Sequence, residues 1–64
     1  MSIDKQKPLI NILLADDHSV VRAGIRQFLE QNENLKVVAE AADGKTACKL
    51  IAQYKPDLAM LDIQ

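Results

Sequence analysis

A chain of 64 residues holds at most one domain, and a domain this small buries only about 60% of the surface its unfolded chain exposes. A net charge of −1 leaves no basic footprint for nucleic acid, and no apolar run approaches the roughly 20 residues of a membrane helix. One cysteine, Cys48, excludes an internal disulfide and fits a reducing cytoplasm.

Residues 1–8 are polar and read as a flexible N-terminal tail, without the apolar stretch of a signal peptide. Leu9–Ala15 is apolar except for Asn11, as expected of a central parallel strand covered on both faces. The period then changes. Val21, Ile25, Phe28 and Leu29 fall at i, i+4, i+7 and i+8, one helical stripe, with Arg22, Arg26, Gln27 and Glu30 on the other face. The helix is predicted over about Ser19–Gln31, with acid and N-cap chemistry supplied by Asp17-His18-Ser19. Asn32-Glu33-Asn34 reads as a turn. Leu35–Glu40 is a short valine-rich strand, and Ala41–Gly44 a loop with Asp43 as N-cap candidate. Ala47, Leu50, Ile51 and Tyr54 mark a second helix over about Lys45–Tyr54, which Pro56 ends. Leu58–Leu61 is the last strand.

The pattern is β-α-β-α-β, an α/β doubly wound parallel sheet. Right-handed crossovers with the most apolar strand in the middle give the order 2-1-3. Ligands of such sheets bind beyond the carboxyl ends of the strands, where the connections diverge. Strands 1 and 3 are then neighbours about 4.8 Å apart, which brings Asp16 and Asp17 to the same edge as Asp62. Carboxylates so close repel one another unless a cation intervenes. Mg²⁺ suits them, because it takes one or two carboxylates and shares the rest of its shell with water and phosphate oxygens. An aspartate beside it can act as a nucleophile toward phosphorus, giving an acyl phosphate. The plainer alternative is that Asp16 and Asp17 cap a helix and Asp62 ends a strand.

Three segments carry a family resemblance. Ile12-Leu13-Leu14-Ala15-Asp16-Asp17-His18, Ala42-Asp43-Gly44-Lys45-Thr46-Ala47 and Pro56-Asp57-Leu58-Ala59-Met60-Leu61-Asp62-Ile63 resemble the first half of a bacterial two-component response-regulator receiver domain. The stretch Asp16–Arg26 is similar to the NarL/FixJ (LuxR-type) branch, whose receivers precede a helix-turn-helix DNA-binding domain. The resemblance implies a flavodoxin-like fold with the same 2-1-3 order. It implies that residues 9–64 form a receiver domain truncated to its first three strands and two helices. Asp62 would accept a phosphoryl group from a histidine kinase. Asp17 would ligate Mg²⁺ directly, Asp16 mainly through water, with Asp62 and the backbone carbonyl of Gln64 completing the protein's share. The family's Ser/Thr and Lys partners of the phosphoryl group would lie beyond residue 64, so poor phosphorylation is expected of this chain. DNA would be reached only through an output domain outside it. The chain reads as a cytoplasmic phosphoacceptor rather than an enzyme, with self-catalysed transfer and dephosphorylation left to the parent.

Two other readings compete. A phosphohydrolase of haloacid-dehalogenase type also uses an aspartate after an apolar strand, but it wants Asp-x-Asp, and here Ile63-Gln64 follows Asp62. A structural reading starts from the open sheet edge and uncovered apolar face expected of three strands, and predicts self-association, as a symmetric dimer. Among single residues, His18 reads as a metal ligand or phosphate relay, or as an exposed residue at a helix start. Arg22 and Arg26 read as a partner-binding face or a solvated one. Cys48 is expected to be a small buried or half-buried filler, and Lys45, Lys49 and Lys55 surface charge. Gly24, which costs about 1 kcal/mol in a helix relative to alanine, is expected where packing is close.

Overall fold

The structure is a computed structural model that describes residues 9–63. The expectations placed on the tail 1–8 and on Gln64 fall outside the described residues. Five elements alternate as the sequence predicts: β1 (Ile10–Asp16), α1 (Ser19–Leu29), β2 (Leu35–Ala41), α2 (Gly44–Tyr54) and β3 (Leu58–Asp62). The strands form one parallel sheet in the order β2-β1-β3.

β1 takes the centre because its residues tolerate burial on both faces. Ile12, Leu13, Leu14 and Ala15 are all buried. Leu13 and Ala15 point to one side, where Ala41 and Ala47 complete a core with Leu50, Ile51, Ala59 and Ile63 packed against it. That side belongs to α2. Ile12, Leu14 and Asp16 alternate to the other side, which α1 covers.

The β1–β2 register is not uniform. Ile12 pairs with Val37 but Leu13 pairs with Ala39, so Val38 is an extra residue. The skip inverts the alternation of β2 beyond that point. Val37 and Glu40 therefore both face α1, while Ala39 and Ala41 face α2.

Helix α2 begins as predicted, the Asp43 carboxylate accepting from the Thr46 N–H at 2.7 Å. Gly44 lets Ile63 pack close, since a β-carbon would stand 3.2 Å from the Ile63 side chain and push it back by a few tenths of an ångström. The helix closes on Lys55, whose φ of 48° is left-handed and whose N–H returns to the Ile51 carbonyl at 2.8 Å. Such a conformation is unfavourable for a residue with a β-carbon, and the following Pro56 blocks any continuation of the helix.

Helix α1 departs from the sequence reading in four ways. It ends at Leu29, two residues early, where Glu30 takes up the terminal hydrogen bonds. Its N-cap position is His18, whose side chain makes no capping bond; the Asp16 carboxylate holds the His18 N–H instead, at 2.8 Å. Its apolar stripe is only partly covered: Ile25 and Leu29 are half-buried, but Val21 and Phe28 are exposed, Phe28 by 71%. A sheet three strands wide offers this helix one row of contacts, which the inner half of the stripe fills. Gly24 is not a point of close approach, because a β-carbon there would meet nothing within 4 Å. On α2, Cys48 is exposed rather than buried, since the small residue that fills the space against the sheet is Ala47, one position earlier.

Candidate functional site

Asp16 closes β1 and Asp62 closes β3, and the parallel register makes them direct partners across the ladder. Both lie at the carboxyl edge of the sheet, where β1 leads into α1 on one face while α2 packs on the other. This is the switch point that the order β2-β1-β3 predicts.

The two acids differ in setting. Asp62 is exposed. Asp16 is completely buried. One of its oxygens accepts the His18 N–H, and the other, Oδ2, has no hydrogen-bond partner among the described residues. An unpaired buried carboxylate oxygen is costly to leave so. Asp17 is exposed and turns toward the same place, its Oδ1 2.9 Å from His18 Nδ1. That ring nitrogen is also 3.4 Å from Asp16 Oδ1. Asp16, Asp17 and His18 thus offer three ligand atoms within 4.8 Å of one another.

The tight group overlaps the three acids expected from the sequence. It contains Asp16 and Asp17 as expected, but its third member is His18. Asp62 flanks it through the strand register rather than entering it. His18 is exposed at a helix start, as one of its two readings expected, and its ring nitrogen lies within reach of both carboxylates.

Arg22, read from the sequence as part of a partner-binding or a solvated face, instead turns inward to the sheet. Its Nη1 donates to the Asp16 main-chain carbonyl at 2.7 Å, and its Nε to Glu40 Oε1 at 3.0 Å. Arg26 pairs with the other Glu40 oxygen and with Glu30, 3.4 Å away. The Glu40 bond, with the nearby Glu30 charge, holds the Arg26 guanidinium pKa above its ordinary value. Glu30 also accepts the Val37 N–H at 3.3 Å. The guanidinium of Arg22 thus ties the end of β1, the first turns of α1 and the end of β2 together behind the acids. Its spacing from Asp16 suggests no such role, because the contact depends on Glu40 facing α1, and that follows from the extra residue at Val38.

An acidic edge with an orphaned buried oxygen and a flanking exposed aspartate is suited to hold a hard divalent cation beside a nucleophilic carboxylate. Comparison with known proteins agrees with the fold around it. Residues 12–64 match the response regulator receiver domain family. The chain is 44% identical over 54 residues to the transcriptional regulatory protein YhcZ of Bacillus subtilis and 43% identical over 54 residues to the oxygen regulatory protein NreC of Staphylococcus aureus. Each match covers 84% of this chain and 25% of the relative, so the chain spans about a quarter of the length of these curated relatives. Among solved structures, it is similar to the signal receiver domain of the response regulator NarL from Mycobacterium tuberculosis. That similarity has a TM-score of 0.85 at 35% identity, over 89% of this chain and 46% of that one. A LuxR-family two-component response regulator from Aurantimonas is similar with a TM-score of 0.77 at 41% identity, over 80% of this chain and 36% of that one.

Proposed function

This chain belongs to the response regulator receiver domain family, and on that premise we propose that it is the phosphoacceptor portion of a NarL/LuxR-type two-component regulator, with Asp62 as the acceptor. The observation that carries the reading is the pairing of Asp62 with Asp16 at the carboxyl edge of the sheet, with Asp16 Oδ2 buried and unpartnered beside it.

In this reading an Asp62 carboxylate oxygen attacks the phosphorus of a phosphohistidine on a partner kinase. The phosphorus–nitrogen bond breaks, the histidine leaves with the electron pair, and an acyl phosphate forms on Asp62. Asp62 is exposed, so an incoming phosphoryl group can reach it without prior opening. Asp16, Asp17 and Asp62 would hold Mg²⁺, with the Gln64 carbonyl as the family's further ligand. The bound ion supplies positive charge to offset that of the transferring group. The residues present fit such an ion, because Asp16 Oδ2 has no other partner among the described residues. Arg22 and the His18 N–H fix the backbone and side chain of Asp16, so the acid is already positioned before any ligand arrives.

The remaining parts of the reading concern the longer protein. Residues 9–64 are proposed as the first part of a receiver domain, and DNA binding is assigned to an output domain of the parent. The site is a phosphoacceptor rather than a turnover enzyme, acting in the cytoplasm. Among the described residues no helix is long and apolar enough to cross a membrane. For the chain by itself we assign self-association with a second copy, because Val20, Val21, Phe28, Leu58 and Leu61 are exposed apolar residues. The haloacid-dehalogenase reading is set aside, since the family match spans both acidic strands.

The test of the acceptor is intact-mass spectrometry after treatment with a small-molecule phosphodonor and Mg²⁺. A single phosphate adduct is expected on the wild-type chain and none on Asp62→Asn. An adduct that survives the substitution sinks the assignment of Asp62.

A further inference from the structure

We propose that His18 is a direct metal ligand, and that with Asp16 and Asp17 it forms a three-donor site selective for a nitrogen-accepting divalent cation of the first transition series, Mn²⁺ to Zn²⁺, over Mg²⁺. This rests on the reading that the acidic pair holds a cation, and it adds a donor that changes which cation is preferred.

Three observations carry it. The first is donor spacing. Two donors that each lie about 2.1 Å from a shared cation stand ~3.0 Å apart at an octahedral right angle and ~3.4 Å apart at a tetrahedral angle. His18 Nδ1 stands 2.9 Å from Asp17 Oδ1 and 3.4 Å from Asp16 Oδ1, so both pairs already have the separations of ligands on one ion. The second is independent of the ring. Asp16 Oδ2 is buried and has no hydrogen-bond partner among the described residues, on a carboxylate that belongs to the same group. The third is the chemistry of the donor set. Two carboxylates alone suit Mg²⁺, whereas an imidazole nitrogen suits the later first-row metals much better. Adding His18 therefore shifts preference toward them. The arrangement is local and ordered by the fold. Asp16 ends β1, its carboxylate fixes the His18 N–H, and the His18 carbonyl accepts from Arg22 N at 2.9 Å as α1 begins. With Nδ1 on the ion, Nε2 is left to solvent on a residue that is 67% exposed, and ligand exchange needs no opening of the core.

Occupancy by such an ion has a functional consequence. It engages the same two carboxylates as Mg²⁺, so the two classes of cation exclude one another. A late first-row metal bound through His18 regulates the site by competition.

His18 is the chain's only histidine, which makes the test clean. The untagged chain is titrated separately with CoCl₂ and MgCl₂, by calorimetry and by proton NMR. Imidazole bound to Co²⁺ gives paramagnetically shifted ring resonances. Such a signal is expected in the wild-type chain. Losing a direct ligand costs at least the ~10-fold that follows loss of a ligand's supporting partner, so His18→Ala is expected to weaken Co²⁺ by about that factor or more. Mg²⁺ affinity is expected to be unchanged in His18→Ala, and both cations to be lost in Asp16→Asn. If Co²⁺ binds the wild type without a shifted imidazole signal, or binds His18→Ala equally well, the proposal is overturned while the carboxylate site stands. If neither cation binds the wild type, or Asp16→Asn retains both, the carboxylate site fails and the proposal falls with it. The NMR signal is read on the wild-type chain, so it does not depend on the folding of a variant.

Discussion

Helices α1 and α2 have the same length, 11 residues, and lie on opposite faces of one sheet, yet they are attached by different forces. α2 sits through Ala47 on Leu13, Ala15 and Ala41, an aliphatic contact with Leu50, Ile51 and Ile63 around it. α1 has no fully buried residue and is bound to the sheet by Arg22 and Arg26 through Glu40, with Glu30 reaching back to Val37. Attachment by packing is non-directional and scales with the apolar area buried. Attachment by guanidinium and carboxylate is directional, and it fixes where the end of β1 stands. The acidic edge is built on the side held by charge. The division of labour is that one face supplies cohesion and the other supplies aim.

Four perturbations separate the two. The largest effect is expected at Leu13, fully buried beneath α2. Leu13→Ala should cost about 2–5 kcal/mol, enough to unfold a chain of this size, and urea denaturation followed by circular dichroism measures it. Arg22→Ala is next. It removes bonds to Glu40 and to the Asp16 carbonyl together and should cost about 1–3 kcal/mol. Arg22→Lys should not restore the loss, because one ammonium cannot reproduce the fork. Stability of that variant equal to wild type would show that α1 is held by its apolar side after all.

The third effect depends on pH. Hydrogen bonding from Thr46, by its main-chain N–H first and then its side chain, holds the Asp43 carboxyl pKa below its ordinary value. A lowered folded pKa means stability that is fully present above the ordinary carboxyl value of ~3.9 and is lost as pH falls through the folded one. Asp43→Asn keeps a capping oxygen but cannot titrate. The difference in melting temperature between wild type and this variant should therefore shrink as pH drops below ~4, and a constant difference would refute it. The smallest effect is at Phe28, 71% exposed. Phe28→Ser should change stability by less than about 0.5 kcal/mol while lowering the apparent mass in light scattering. An unchanged mass would place self-association elsewhere than α1.

Much of the fold was legible in the sequence. Changes between helical and strand periodicity located all five elements, and the apolar run before Asp16 identified the central strand. Asp16, Asp17 and Asp62 were brought to one edge by topology alone. What was not legible depended on register. Nothing in Leu35-Lys36-Val37-Val38-Ala39-Glu40 announces that Val38 is the extra residue, so Glu40 could not be assigned to α1 and Arg22 could not be connected to Asp16. Burial along α1 was overestimated for a related reason. An apolar stripe records which side of a helix seeks cover, while the width of the sheet decides how much cover there is. His18 was visible as a possibility, and its proximity to both carboxylates needed the turn between β1 and α1.

The skipped residue gives β2 a kind of punctuation. Before Val38 its side chains are read in one phase, and after it in the opposite phase. Which residue this strand leaves unpaired is thus as informative as which residues it contains. Were Val38 paired in turn instead of skipped, Glu40 would be directed among Leu13, Ala15 and Ala47, and Ala39 would stand where the arginines of α1 expect a carboxylate. A one-letter gap in an alignment at this position would therefore remove the skip and leave Glu40 on the α1 face, the same sentence without its comma.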